Sequence, residues 1–354
     1  MNKYKYCLSS IKIIPFILLL TYAFPVFAKT IKFSNSPRLN IELKTMYNDN
    51  IFLYSDAYIS DFVNQVRPFR FPFNTYDDFI TNLNLQLQFP VQKDINKSYL
   101  NLFYKQYLFA MNGEKSYQIV SATFNQSLSK RFGFDVSYLF LPRYLIRFYQ
   151  NPFSASIDYI GCTFAEHLLT IRLNYKWRSI NVKPFGRFEI DKYKENFSFY
   201  DGKASRFGMD LIWLITSSIN LAAGVERKQN QTQGPVPDIS YNENQLNGQI
   251  NVKLPDIEKL LLNFGTNYIA RDYTTNNSAL VDPFHKDRSD KTINLNGGVE
   301  YRIASNLRIN FVYEHEIRRT SSPYRSQIED IKDYDNNIFT LGLRYSMSNI
   351  FQGE

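Results

Sequence analysis

Cysteine is nearly missing from this chain of 354 residues: there are two, Cys7 and Cys162. Cys7 lies in a removable front segment, which leaves Cys162 alone and excludes an internal disulfide or a thiolate metal site. Histidine is almost as scarce, with His167, His285 and His315 as the full set. None has a serine or acid beside it at the spacing of a known catalytic unit, where the base must be held by a third group. No Gly-rich phosphate-cradling loop occurs. Past residue 28 there is no apolar run long enough for a membrane-spanning helix. The positive charge is spread along the chain, without the concentrated stripe of a nucleic-acid binder.

The front of the chain is built differently from the rest. Lys3, Lys5 and Lys12 precede the apolar run Ile13–Leu20, and Val26-Phe27-Ala28 closes it. This is the three-part plan of a secretory signal, and cleavage is expected after Ala28. An uncleaved anchor is the alternative, but the run is short for a bilayer and contains Pro15. Losing three lysines and no acid takes the formal charge from +8 to +5. The remaining 29–354 shows no linker or change of composition and reads as one unit.

What the chain does have is alternation. In Phe79–Pro90 the residues Thr81, Leu83, Leu85, Leu87 and Phe89 share one side of an extended strand, and Asn82, Asn84, Gln86 and Gln88 share the other. The pattern recurs over 39–47, 78–89, 98–110, 116–128, 131–146, 163–177, 180–195, 204–216, 219–230, 243–254, 260–272, 290–303, 307–319 and from Asn337 onward. Tight connections such as Ser129-Lys130, Arg178-Ser179 and Ser217-Ser218 alternate with long polar ones such as 231–242, 273–289 and 320–335. This predicts an all-β, transmembrane, antiparallel up-and-down barrel of about 14 strands, with 12 and 16 as alternatives and both termini periplasmic. The mean hydropathy of −0.34 does not oppose it, because only every second residue meets lipid. Aromatic content of 16%, nearly all Tyr and Phe, suits interfacial girdles. Residues 48–77, with prolines among Phe69, Phe71 and Phe73, are expected to form an outer loop, or else an extra strand pair.

Parity then assigns an interior. It places Arg172, Lys176, Lys183, Arg187, Glu189, Lys253, Glu300, Arg302, Arg308, Glu314, Glu316 and Arg344 on the polar side as pore-lining residues. Facing lipid at midplane, an Arg or Lys would cost about 2–4 kcal/mol. The cations Lys176, Lys183, Lys253, Arg302, Arg308 and Arg344 fall near the tight turns, and Asp191, Glu314 and Glu316 near the long loops. Such a ring of cations implies weak anion preference; pairing with inward acids would instead give a neutral or plugged interior. Glu314 and Glu316 could bind a cation or do acid–base work, or lie against Arg318 and Arg319. Asp282, Asp287 and Asp290 lack the glycine and spacing of a calcium loop. No motif commits the chain to catalysis, a cofactor or a metal.

Two stretches carry a likeness. Tyr47-Asn48-Asp49-Asn50-Ile51-Phe52 with Ser60-Asp61-Phe62 and Arg67-Pro68, and Asp333–Asn337 ahead of Phe339–Tyr345, resemble the opening and closing of the β-barrel porin-2 type of outer-membrane protein. The last strand, with Phe339, Leu341, Leu343, Tyr345 and Met347 on one parity and Phe351 beyond, is similar to the terminal signal read by the barrel-insertion machinery of Gram-negative bacteria, although three residues follow Phe351. The resemblance implies a porin-like channel in the outer membrane, surrounded by lipid and lipopolysaccharide, with no catalytic residues to transfer. Two other functions stay open: a surface-exposed structural or adhesive barrel with a closed lumen, and a barrel component of polysaccharide or protein secretion.

Overall fold

A computed structural model describes residues 37–91, 98–154, 156–234, 236–254, 257, 259–325 and 327–348. The expected leader, 1–28, and Phe351 lie outside the described residues. Fourteen antiparallel strands close on themselves in sequence order, β14 pairing β1. They are β1 (Arg38–Asn48), β2 (Asp78–Val91), β3 (Ser98–Phe109), β4 (Tyr117–Ser127), β5 (Phe132–Gln150), β6 (Tyr159–Trp177) and β7 (Ile180–Tyr193). The second half is β8 (Gly202–Leu214), β9 (Ile219–Thr232), β10 (Tyr241–Lys253), β11 (Leu260–Tyr273), β12 (Ser289–Ala304), β13 (Leu307–Ser321) and β14 (Tyr334–Ser348). Arg38 at the start of β1 lies opposite Ser348 at the end of β14, so both ends of the barrel wall sit at the tight-turn rim. No described helix is long and apolar enough to cross a membrane; the strands do the crossing.

The register carries one parity round the ring. Glu42 faces Asn84 and Arg344, Arg344 faces Arg308, and Arg308 faces Arg302. Residues one step away form the outer face, where Phe207, Leu173, Phe264 and Leu341 are 71, 57, 53 and 54% exposed. A belt of large apolar side chains this exposed fits hydrocarbon, not water. Outward aromatics gather near both rims, Phe132 against Tyr175 at the tight-turn end and Tyr313 against Phe339 at the other.

The hairpin of β5 and β6 is longer than its sequence pattern indicates. Pairing continues to Gln150↔Tyr159, so the connection expected over 147–162 shrinks to 151–158. Pro142, which has no N–H for the ladder, falls between Leu141 and Tyr144, where the register shifts. Above that point β5 has outrun β4, whose pairing with it ends at Val120↔Phe140. Lys115, in the β3–β4 turn, takes the open edge: its ammonium donates to the carbonyl oxygens of Leu145 and Ile146.

Residues 49–77 connect β1 to β2 at the long-loop end, as expected of an outer loop and without a strand pair, but the loop is folded. Ser55 caps a helix, α1 (Asp56–Val63), by accepting from the Tyr58 N–H, and Pro68–Arg70 makes one 3-10 turn. Ile51, Phe52, Tyr54 and Phe71 are buried with Ile80 and Leu145 in an aromatic-rich core. The Phe52 ring lies tilted at 4.3 Å from Phe73 and 6.0 Å from Phe148. The insert is tied to β14 through Asn50 Nδ2 to the Asp335 carbonyl, and to β5 through Arg147 to the Leu53 carbonyl. It therefore lies as a chord across the long-loop end.

Candidate functional site

The insert leaves a cavity of about 1020 Å³ between itself and the wall from β5 to β13. Nine Lys and Arg side chains and two Asp line it, together with seven tyrosines. Two charge networks flank the cavity on the inner face. In the first, Arg187 donates to Glu226 at 2.7 Å, Arg206 bridges Glu226 and Glu189, and Lys228 reaches Glu189 at 2.8 Å. In the second, Arg288 donates from Nε and Nη2 to Asp290 at 2.8 and 2.7 Å, and Arg318 reaches the same carboxylate. Between them Arg271 is matched by Glu243 at 2.6 Å. The guanidinium groups lie on tyrosine faces, Arg271 over Tyr241 at 4.1 Å and Arg288 over Tyr273 at 4.5 Å. Such stacking fixes a fork while leaving its charge in place.

Lys332, on the short helix α2 (Glu329–Lys332) of the β13–β14 connection, also faces this cavity. No ion pair or hydrogen bond reaches its ammonium among the described residues. Burial first, then Arg288, Arg147 and Arg318, hold it well below the ordinary lysine value, with Asp290 pulling the other way. Lys115 is pushed down to about 7 by burial and then by Arg147. His285 accepts or donates at 2.8 Å to Asp282, whose other oxygen accepts from the Asp238 N–H, so this pair fastens two loops together. Burial lowers the His285 value despite Asp282.

The residues assigned by parity fall into three groups. Arg172 meets Asp210 at 3.5 Å, Arg187 and Glu189 belong to the first network, and Arg308 and Arg344 share Glu300 at 2.8 and 3.6 Å. Arg344 also reaches Glu42 at 2.8 Å. Lys176, Lys183, Lys253 and Arg302 have no ion pair among the described residues. Glu314 and Glu316 do not pair with the arginines that follow them: Glu316 accepts from Tyr334 at 2.6 Å, Arg318 turns to Asp290, and Arg319 to Asp335.

The axial sorting of signs covers only part of the charge inside the barrel. Two of the six cations in the tight-turn ring, Arg308 and Arg344, are offset by Glu42 and Glu300, while the long-loop end carries cations that strand parity did not gather. Arg206 and Arg271 were within reach of the same parity argument. Lys115, Arg288 and Lys332 were not, because loop side chains have no period to set their direction, and Arg147 falls in the stretch expected as a connection, 147–162, which the structure extends as β5.

Glu166, Glu189 and Asp191 place carboxylate oxygens within 4.8 Å of one another. Arg206 and Lys228 already engage the Glu189 oxygens.

No family model matches the chain and no curated protein does, so the resemblance to the porin-2 type gains no support from either. Among solved structures the chain is similar to in-vitro folded OmpT, an outer membrane protein of Vibrio cholerae, at 12% identity and a TM-score of 0.46 over 90% of this chain and 100% of that one. It is similar to OprD of Pseudomonas aeruginosa at 8% identity and 0.39 over 91% and 98%. OpdK of the same organism, solved with vanillate, gives 9% and 0.39 over 88% and 98%. At such scores the likeness bears on neither solute nor mechanism.

Proposed function

We propose that this chain is a diffusion channel of the bacterial outer membrane with weak preference for anions, set mainly at the long-loop end. The observation that carries the reading is the lining of the cavity there, nine Lys and Arg against two Asp. A basic constriction in a low-dielectric wall concentrates anions and repels cations. In this reading the leader 1–28 exports the chain, the insertion machinery receives its last strand, and lipid and lipopolysaccharide surround the apolar belt. The tight turns and both ends then face the periplasm, and the long loops face outward. No catalytic step is assigned.

A closed barrel that displays its loops is the competing reading, favoured by the packed insert across the mouth. Planar bilayers with the purified, refolded protein in a potassium chloride gradient decide between them. The channel reading expects single-channel steps and a reversal potential on the chloride side of zero. Cation selectivity would end the anion preference, and the absence of steps would leave the closed barrel.

A further inference from the structure

We propose that Arg147, Arg288, Arg318 and Lys332 form a subsite for the carboxylate or phosphate group of a small organic anion. The proposal deepens the channel reading and rests on it for the solute's route, though binding itself can be measured without any current.

The argument is one of unbalanced charge in a fixed place. Asp290 is the carboxylate that Arg288 and Arg318 share, and it also accepts from the Tyr273 hydroxyl at 3.3 Å. Arg147 spends its hydrogen bond on a neutral carbonyl, that of Leu53, and lies over Tyr54 at 5.0 Å. Lys332 has no partner among the described residues, and it lines with Arg147 and Tyr149 both the large cavity and the smaller one beside it. Four cations thus converge where one carboxylate answers two of them. Arg271 adds nothing to the excess, because Glu243 matches it. Of the other acids on the cavity wall, Asp282 is engaged with His285 and the Asp238 N–H, and Asp191 lies in a separate cluster with Glu166 and Glu189.

A charge enclosed without a partner is costly, and a chain that keeps one in a cavity invites a ligand of opposite sign. Planar guanidinium forks and a point-like ammonium suit oxyanions with two or three oxygens, so carboxylate and phosphate fit better than chloride. The cavity is of the size that holds one small molecule at a time.

The test is calorimetric titration of the full, refolded barrel in detergent with inorganic phosphate, and separately with citrate, at constant ionic strength in chloride. Wild type is expected to give saturable heat. Lys332→Gln should weaken binding about tenfold or more, the weight of one charged hydrogen bond. Lys332→Arg should restore most of it, and Arg302→Gln at the opposite rim should leave it unchanged. Because no side-chain partner is lost, Lys332→Gln should fold; heat-dependent gel migration verifies this. Absence of saturable heat in wild type, or equal affinity in Lys332→Gln, overturns the subsite. Recording chloride current from the same preparation separates the two readings. A barrel that binds phosphate yet never conducts keeps the subsite and loses the channel, and one that conducts without binding does the reverse.

Discussion

The two ends of this barrel's interior use the same residue types in different ways. At the tight-turn rim, ion pairs form between neighbouring strands with half-open cations: the side chains of Arg308 and Arg344 are 44 and 39% exposed. At the long-loop end the pairs are enclosed, with Arg288 and Asp290 at 2 and 4%. The insert across the mouth accounts for the difference. By closing off solvent on one side, it turns charges that water would screen into a constriction where each one counts. The channel reading therefore assigns selectivity to the end where the lumen is dressed by loops, not to the end where the strand pattern alone supplies a ring of cations.

The sharpest way to break this comparison is to remove one acid from each end. Asp290→Ala strands two guanidinium groups and should cost about 3–5 kcal/mol of unfolding free energy. Glu300→Ala, whose partners are half exposed, should cost less than about 1 kcal/mol. Urea titration of the refolded barrel compares them; equal losses would erase the distinction. Next, Phe52→Ala removes the centre of the insert's core and should cost about 3 kcal/mol locally. Because the wall does not depend on that core, proteases should begin to cut within 49–77 while the strands stay resistant. Conductance should rise if the insert narrows the mouth.

A smaller effect is tied to pH. The Lys115 value, lowered to about 7 from an ordinary 10.5, means the folded state resists its charge. The resulting cost is fully present below pH 7 and fades as pH climbs from about 7 toward 10.5, where the unfolded chain also loses its proton. Stability of the β3–β4 and β5 region should rise over that window, and Lys115→Met should flatten the rise. Hydrogen exchange at β5 reads it. The smallest effect is on reversal potential: Lys332→Gln should move it toward zero by more than Arg302→Gln does, and the opposite order would return selectivity to the tight-turn rim.

Most of the wall was legible in the sequence, and for a physical reason. A strand between two solvents must alternate, so Leu83 and Asn84, or Leu295 and Asn296, announce their faces without coordinates. Strand ends were less legible, as in β14, which starts at Tyr334 instead of Asn337, because pairing continues past the rim where neither face needs to be apolar. The insert was not legible. Ser55-Asp56 is a readable helix start, but what makes 49–77 fold is contact with Leu145 and Phe148, which lie far along the chain, as well as with nearby Ile80. The cavity cations share that fate: Arg147 on β5 and Lys332 on a loop line one cavity only once the ring has closed.

Spin labels placed one at a time along 291–300 of β12, in a barrel reconstituted in lipid, test the central claim most directly. Collision with oxygen should peak at odd positions such as 293, 295 and 299, and collision with a water-soluble nickel complex at even ones such as 294, 296 and 300. Uniform accessibility along the strand, or a period near that of a helix, would contradict a closed ring with hydrocarbon on one side and water on the other.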